Sequence, residues 1–175
     1  MTGNGVQLEA TAAMWRALAL FFFGGVLGVG AGVALGFFLF PFVFPPPPAM
    51  EVLGEGEQTR TLATGTFIHA NPSDPVHYGS GGVTVYERTV FLERDFEVGP
   101  GPKYHVYLVP KAEVRRSDHV EGTMFVDLGR LRAFKGSQKY ALPDGIDIAA
   151  YQSVVIWCEH FNVLISPADL KPEPQ

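Results

Sequence analysis

The sequence predicts an all-β domain, an antiparallel β-sandwich or barrel, carried behind one N-terminal transmembrane helix. Three observations support this. No charged side chain occurs between Arg16 and Glu51. From residue 62 onward the chain breaks into short runs rich in Val, Ile, Phe, Tyr and Thr, which suit a pleated sheet. Between those runs stand clusters of Gly, Pro, Asn and Asp, the residues that turn a chain.

Residues 17–44 form the expected helix. At about 1.5 Å per residue, this stretch is long enough to cross a hydrocarbon core of roughly 30 Å. A cleavable secretion signal is the competing reading, but its apolar region spans only about 7–15 residues and ends in small residues before the cut. Here the run is longer and leads into Pro41-Phe42-Val43-Phe44-Pro45-Pro46-Pro47-Pro48 with no A-x-A site. A retained anchor follows, with residues 1–16 as a short tail before it. Gly24, Gly28, Gly32 and Gly36 recur every fourth residue and form one smooth stripe for close helix approach. The stripe predicts a homo-oligomer or a membrane partner through the helix; the plain alternative is that membrane helices are rich in glycine. Arg16 lies on one side of the span and Glu51, Glu55 and Glu57 on the other. The positive-inside rule then puts the N-terminus in the cytoplasm and the C-terminal domain outside it, periplasmic or at the cell surface.

Residues 45–61 read as a linker, a stiff polyproline II spacer from Pro45 to Pro48 and then a polar, mobile stretch. The β-domain spans 62–170, and 171–175 is a C-terminal tail. Strands are expected at 66–70, 82–88, 89–96, 104–109, 124–128, 137–142, 154–158 and 162–166. Asn71-Pro72-Ser73-Asp74-Pro75, Gly79-Ser80-Gly81-Gly82, Gly99-Pro100-Gly101-Pro102 and Pro143-Asp144-Gly145 read as the turns between them. A single helical turn is expected over 147–151.

Composition removes several function classes. Lys and Arg total 13 against 18 Asp and Glu, a net charge of -5, so no nucleic-acid footprint is expected. One cysteine excludes an intrachain disulfide, a CxxC pair, a four-cysteine zinc site and a CxxCH haem attachment. The glycines make no dinucleotide-binding fingerprint, and no nucleophile elbow is present. Asp95 and Glu97, flanking Phe96, read as strand-end surface charges rather than paired catalytic carboxylates.

The densest β-forming run outside the helix is 154–165, and it holds the only cysteine. Alternation puts Val154, Ile156 and Cys158 on one face, joined by His160 if the strand stays regular, with Val155 and Trp157 on the other. Both faces are apolar through Trp157, so this is read as a central strand with Cys158 near its end. Two readings of Cys158 stay open. It is a packed small hydrophobe, or it is a reactive or ligating thiol that His160 assists. Composition favours the first, because free cysteines are among the most buried residues, and the liability of a lone thiol outside the cytoplasm counts for the second. A blue-copper centre fits poorly, because Cys158-Glu159-His160 is too tightly spaced and no Met follows. His105 alternates with core residues and faces away from the core, and His119 belongs to a charged loop.

Taken in order, several pieces share a pattern: Gly65-Thr66-Phe67, His77-Tyr78-Gly79-Ser80-Gly81, Val83-Thr84-Val85-Tyr86 and Gly101-Pro102-Lys103-Tyr104-His105-Val106-Tyr107-Leu108. Leu128-Gly129-Arg130-Leu131, Gly136-Ser137-Gln138-Lys139-Tyr140, Tyr151-Gln152-Ser153-Val154-Val155-Ile156-Trp157-Cys158 and Phe161-Asn162-Val163-Leu164 follow. This order resembles the DM-thirteen, or electron transfer DM, domain family over roughly 62–170. The resemblance implies an extracytoplasmic all-β domain, often found in animals beside haem-binding DOMON-type domains, with a redox role. It implies that the hallmark cysteine, here Cys158, acts as a bare thiol or ligates a prosthetic group such as haem. Cys158, His160 and His77 are then the candidate cofactor-binding residues, with Cys158 the catalytic one, and electrons pass to or from a separate redox partner protein. The alternative is a non-catalytic, membrane-tethered binding or assembly module with a structural, buried cysteine.

Overall fold

The structure is a computed structural model that describes residues 3–44, 46–57 and 60–174. The chain divides into two units, Met1–Pro45 and Pro46–Gln175.

The first unit is one helix, α1 (Gly3–Val43), which takes in residues 3–16 of the expected tail and the expected span as far as Val43. A long apolar run satisfies its backbone polar groups internally only as a helix. Its segment Ala13–Phe37 is long and apolar enough to cross a membrane, judged by length and composition. Gly24, Gly28, Gly32 and Gly36 each have open space where a Cβ would stand. Of the expected proline spacer, Pro45 lies outside the described residues, and 46–48 have no regular structure.

The second unit is β throughout, apart from two short 3₁₀ turns. Its strands are β1 (Ala49–Met50), β2 (Thr61–Phe67), β3 (Gly79–Tyr86), β4 (Thr89–Leu92) and β5 (Glu97–Val98), followed by β6 (Tyr104–Val109), β7 (Val126–Arg130), β8 (Gly136–Ala141), β9 (Ser153–Cys158) and β10 (Val163–Pro172). They form one curled sheet, a half-barrel, in the order β1-β8-β4-β3-β2-β10-β9-β6-β7, with β5 paired to β3. Of the two expected forms it is nearer the barrel, curled but with β1 and β7 as its two edges. Neighbours are antiparallel except β1 with β8, which makes the sheet mixed.

Alternation decides what each face holds. Val106 and Leu108 of β6 stand opposite Ile156 and Val154 of β9 and point into the main core with Phe67, Val83, Val85 and Ile165. The other face of the same two strands carries Tyr107, Val109, Val155 and Trp157. These pack with Val114, Val120 and Leu164 into a second, smaller core. Because both faces of β9 are covered, all six of its residues are buried. A strand buried on both faces reads as a continuous apolar run rather than an alternating one, and Val-Val-Ile-Trp-Cys does.

Several segments differ from expectation: β2 (Thr61–Phe67) starts inside the expected linker and ends short of the expected strand at 66–70, β4 stops at Leu92 rather than 96, and β7 is Val126–Arg130 rather than 124–128. Gly79-Ser80-Gly81-Gly82 is not a turn but the start of β3. The chain at Asp95 and Phe96 crosses so close that a Cβ on Gly81 would lie 2.4 Å from the Phe96 Cα, and β5 bonds to β3 alongside. The glycines here admit a neighbouring backbone, which in sequence looks the same as turn chemistry. The stretch expected to be a mobile linker is partly docked. Glu51 holds Arg132 at 2.7 Å, Glu57 holds Lys139 at 2.7 Å, and Ala49 and Met50 add a strand beside β8. Gln58 and Thr59 lie outside the described residues. Finally, β10 runs to Pro172, past the expected strand end and into the expected tail. The expected helical turn is present as a 3₁₀ turn at Ile148–Ala150, capped by the Asp147 carboxylate, which accepts from the Ala149 N–H.

Candidate functional site

Cys158 closes β9. Its side chain points into the main core, between β6 and β10, and the residue is 1% exposed. The thiol donates to the Pro102 carbonyl at 3.2 Å. Pro102 belongs to the loop 99–103, which enters β6 through Lys103, a residue with φ of 51°. That loop is held at its β6 end. Lys103 Nζ lies 2.9 Å from Glu159 Oε2, and the Glu159 N–H donates to the Lys103 carbonyl at 3.2 Å. Gly101 is required by packing, because a Cβ there would sit 2.1 Å from the Tyr104 hydroxyl oxygen. Burial, then the neighbouring Cys158, Asp74 and Tyr78, hold the Tyr104 phenol well above its ordinary value.

The two candidate histidines are placed differently. β9 ends at Cys158, and 159–162 form the turn into β10, so the alternation that would align His160 with the thiol stops one residue too early. His160 is exposed, with its ring edge-on to Phe161 at 4.7 Å. His77 sits in the β2–β3 loop, its Nδ1 2.6 Å from Asp74 Oδ2. Among the described residues, the hydrogen-bond partner of the thiol is the Pro102 carbonyl and neither histidine. Haem ligation through Cys158 does not fit this arrangement. The sulfur is enclosed by core side chains, and none of the five clefts described opens on it.

The Asp74–His77 pair carries a pH signature. The His77 hydrogen bond, followed by the N–H groups of Val76 and His77, lowers the Asp74 carboxyl to about 2. The folded value lies below the unfolded one, so the stabilisation is complete above about pH 4 and disappears as pH falls through about 2. Asp74→Asn removes it. The wild-type advantage over this variant should be full at neutral pH and shrink between about pH 4 and 2, as read from urea midpoints across that range.

A second cluster, which the sequence reasoning missed, lies on the outer face of the sheet. His105 of β6 has Nδ1 2.9 Å from Asp127 Oδ2 and Nε2 3.4 Å from Glu159 Oε2. The Tyr107 hydroxyl donates to Glu159 Oε1 at 3.2 Å. The Tyr107 ring stacks on Phe125 at 4.3 Å and lies 6.2 Å from Trp157. Burial, then Glu159 and Asp127, hold the Tyr107 phenol well above its ordinary value. The Lys103 hydrogen bond holds the Glu159 carboxyl below the usual range. Tyr107, Phe125 and Trp157 line an open cleft of about 570 Å³ with Lys103, Glu159 and Asn162. The outward direction of His105 was legible in its alternation. Its partners were not, because they depend on the β6–β7 register and on a turn residue.

The fold and this geometry define a class: a curled all-β domain with one thiol at the end of its central strand, sealed by a loop. A family model described as Electron transfer DM13 matches residues 72–170, and the chain belongs to that family. No curated protein and no solved structure matches the chain.

Proposed function

We propose that the chain is a redox accessory protein, tethered to a membrane by α1 with its β-domain outside the cytoplasm, and that Cys158 is its redox thiol. The position of Cys158 carries this reading. The thiol is the last residue of the central strand, and its hydrogen-bond partner is a backbone carbonyl in a single loop held by Lys103 and Glu159. On this reading loop 99–103 is the part of the enclosure that opens, because the thiol's hydrogen-bond partner lies in it. Family membership supports the redox role.

With no second cysteine in the chain, the chemistry needs a partner. The Cys158 thiolate attacks a partner disulfide, one new S–S bond forms as the old one breaks, and the other partner sulfur leaves as thiolate. A thiolate from a second partner then attacks the first partner's sulfur in that mixed disulfide, a new S–S bond forms between the two partners, and Cys158 leaves as thiolate. The charge asymmetry about α1 supports the extracytoplasmic placement, and Gly24, Gly28, Gly32 and Gly36 supply a helix face for a membrane partner or a second copy.

The second reading rests on the same burial. A thiol 1% exposed among core residues is also what packing alone would produce, and the domain would then be a tethered binding or assembly module. The two readings separate on how fast native Cys158 reacts compared with how fast the domain unfolds.

A further inference from the structure

We propose that His105, Asp127 and Glu159 form a divalent transition-metal site on the outer face of the sheet, one that uses no atom of Cys158 but shares Glu159 with the tie that holds loop 99–103. The three residues come from β6, β7 and the position after β9, and one ligand atom from each lies within 4.8 Å of the others. Strands hold a constellation more rigidly than loops do.

The charge pattern calls for a cation. Both nitrogens of His105 face carboxylate oxygens, Nδ1 at 2.9 and 3.0 Å from Asp127 and Nε2 at 3.4 Å from Glu159. A neutral imidazole has one N–H, so its other nitrogen would turn a lone pair toward an oxygen. Lys103 Nζ, 2.9 Å from Glu159 Oε2, supplies one cation to the cluster, and a metal ion seated on one His105 nitrogen with the two carboxylates is the alternative.

The carboxylates are oriented from behind, as metal ligands are. The Gly129 N–H donates to Asp127 Oδ1 at 2.8 Å, and the Tyr107 hydroxyl donates to Glu159 Oε1 at 3.2 Å. Lys103 competes for Glu159, but its side chain is 57% exposed and can withdraw into water. Metal–ligand bonds of about 2.0–2.2 Å place neighbouring donor atoms about 3 Å apart. One His105 nitrogen and one oxygen from each carboxylate lie within 4.8 Å of one another, and side-chain closure around the ion completes that spacing. One imidazole and two carboxylates suit zinc, manganese, iron(II) or cobalt better than calcium, which takes oxygen ligands, or copper(I), which takes soft sulfur. Glu159 also lines the aromatic cleft of Tyr107, Phe125 and Trp157.

The test is Co²⁺ titration of the full chain in detergent after chelator treatment, followed by visible absorption. The expected result is one equivalent bound, with affinity falling about 100-fold in His105→Ala and about 10- to 100-fold in Asp127→Asn. Lys103→Ala should tighten binding by removing the competitor, while His160→Ala and Cys158→Ser should leave it unchanged. Circular dichroism checks that each variant is folded, and Asp127→Asn serves if His105→Ala is not. The absence of stoichiometric uptake by the wild type, or uptake unaltered in the folded ligand variants, would overturn the assignment.

Discussion

Trp157→Ala is expected to lower the stability of the β-domain by about 3–5 kcal/mol, the range for deleting a buried large aromatic. The indole is 4% exposed on the outer face of the central strand, packed with Tyr107, Val155 and Leu164 beneath the β6–β7 connection. Its removal leaves a cavity that the sheet cannot close, because β6 and β10 fix β9 on both sides. Trp157→Phe should lose less, since it keeps most of the apolar volume. Urea unfolding followed by far-ultraviolet circular dichroism measures both. The Trp157→Ala loss should appear in the midpoint, with the slope unchanged. A loss below about 1 kcal/mol would mean that the outer core is dispensable, contrary to its packing.

Gly81→Ala should cost about 2–5 kcal/mol, from two sources that can be separated. The backbone there has φ of 100°, a conformation that L-residues adopt at a cost of about 1–2 kcal/mol. A methyl group would also strike the Asp95 and Phe96 backbone, and overpacking of this kind costs about 1–3 kcal/mol. Gly145 supplies the control. Its φ is 83°, but nothing lies within 4 Å of a Cβ built there. Gly145→Ala should therefore show the conformational cost alone, and the difference between the two variants measures the crossing of the chain over β3.

These two positions also show what could be read in advance. The run around Trp157 announced a central strand because its apolar residues are continuous rather than alternating, and β9 is that strand. Placing Cys158 near its end followed from the same run. Gly81 misled, because a glycine that admits a neighbouring backbone and one that turns the chain are the same letter. His160 misled for a related reason. Alternation holds only while the strand lasts, and nothing in Glu159-His160-Phe161 marks the stop at Cys158. The outer cluster was out of reach. His105 meets Asp127 and Glu159 only through strand register and a turn, both of which are set by the fold. The short strands β1 and β5 were missed because two residues carry no period.

Placing the thiol under one loop makes a kinetic claim. If loop 99–103 opens as a local unit, Cys158 reacts while the sheet is intact, and its rate belongs to the low-energy end of local opening. If the thiol is core packing, it reacts only when β9 is released, and that event is global.

The deciding measurement is the rate at which Cys158 in the folded, detergent-purified chain forms a mixed disulfide with oxidised glutathione. Mass spectrometry reads the product, and Cys158→Ser serves as the blank. The unfolding rate of the same sample, taken from urea jumps, is the yardstick. The redox account predicts modification at least tenfold faster than global unfolding, and faster still in Lys103→Ala, where the loop loses its side-chain tie to Glu159 and keeps the backbone one. Modification that only keeps pace with global unfolding, unmoved by Lys103→Ala, would contradict it and leave Cys158 as part of the core.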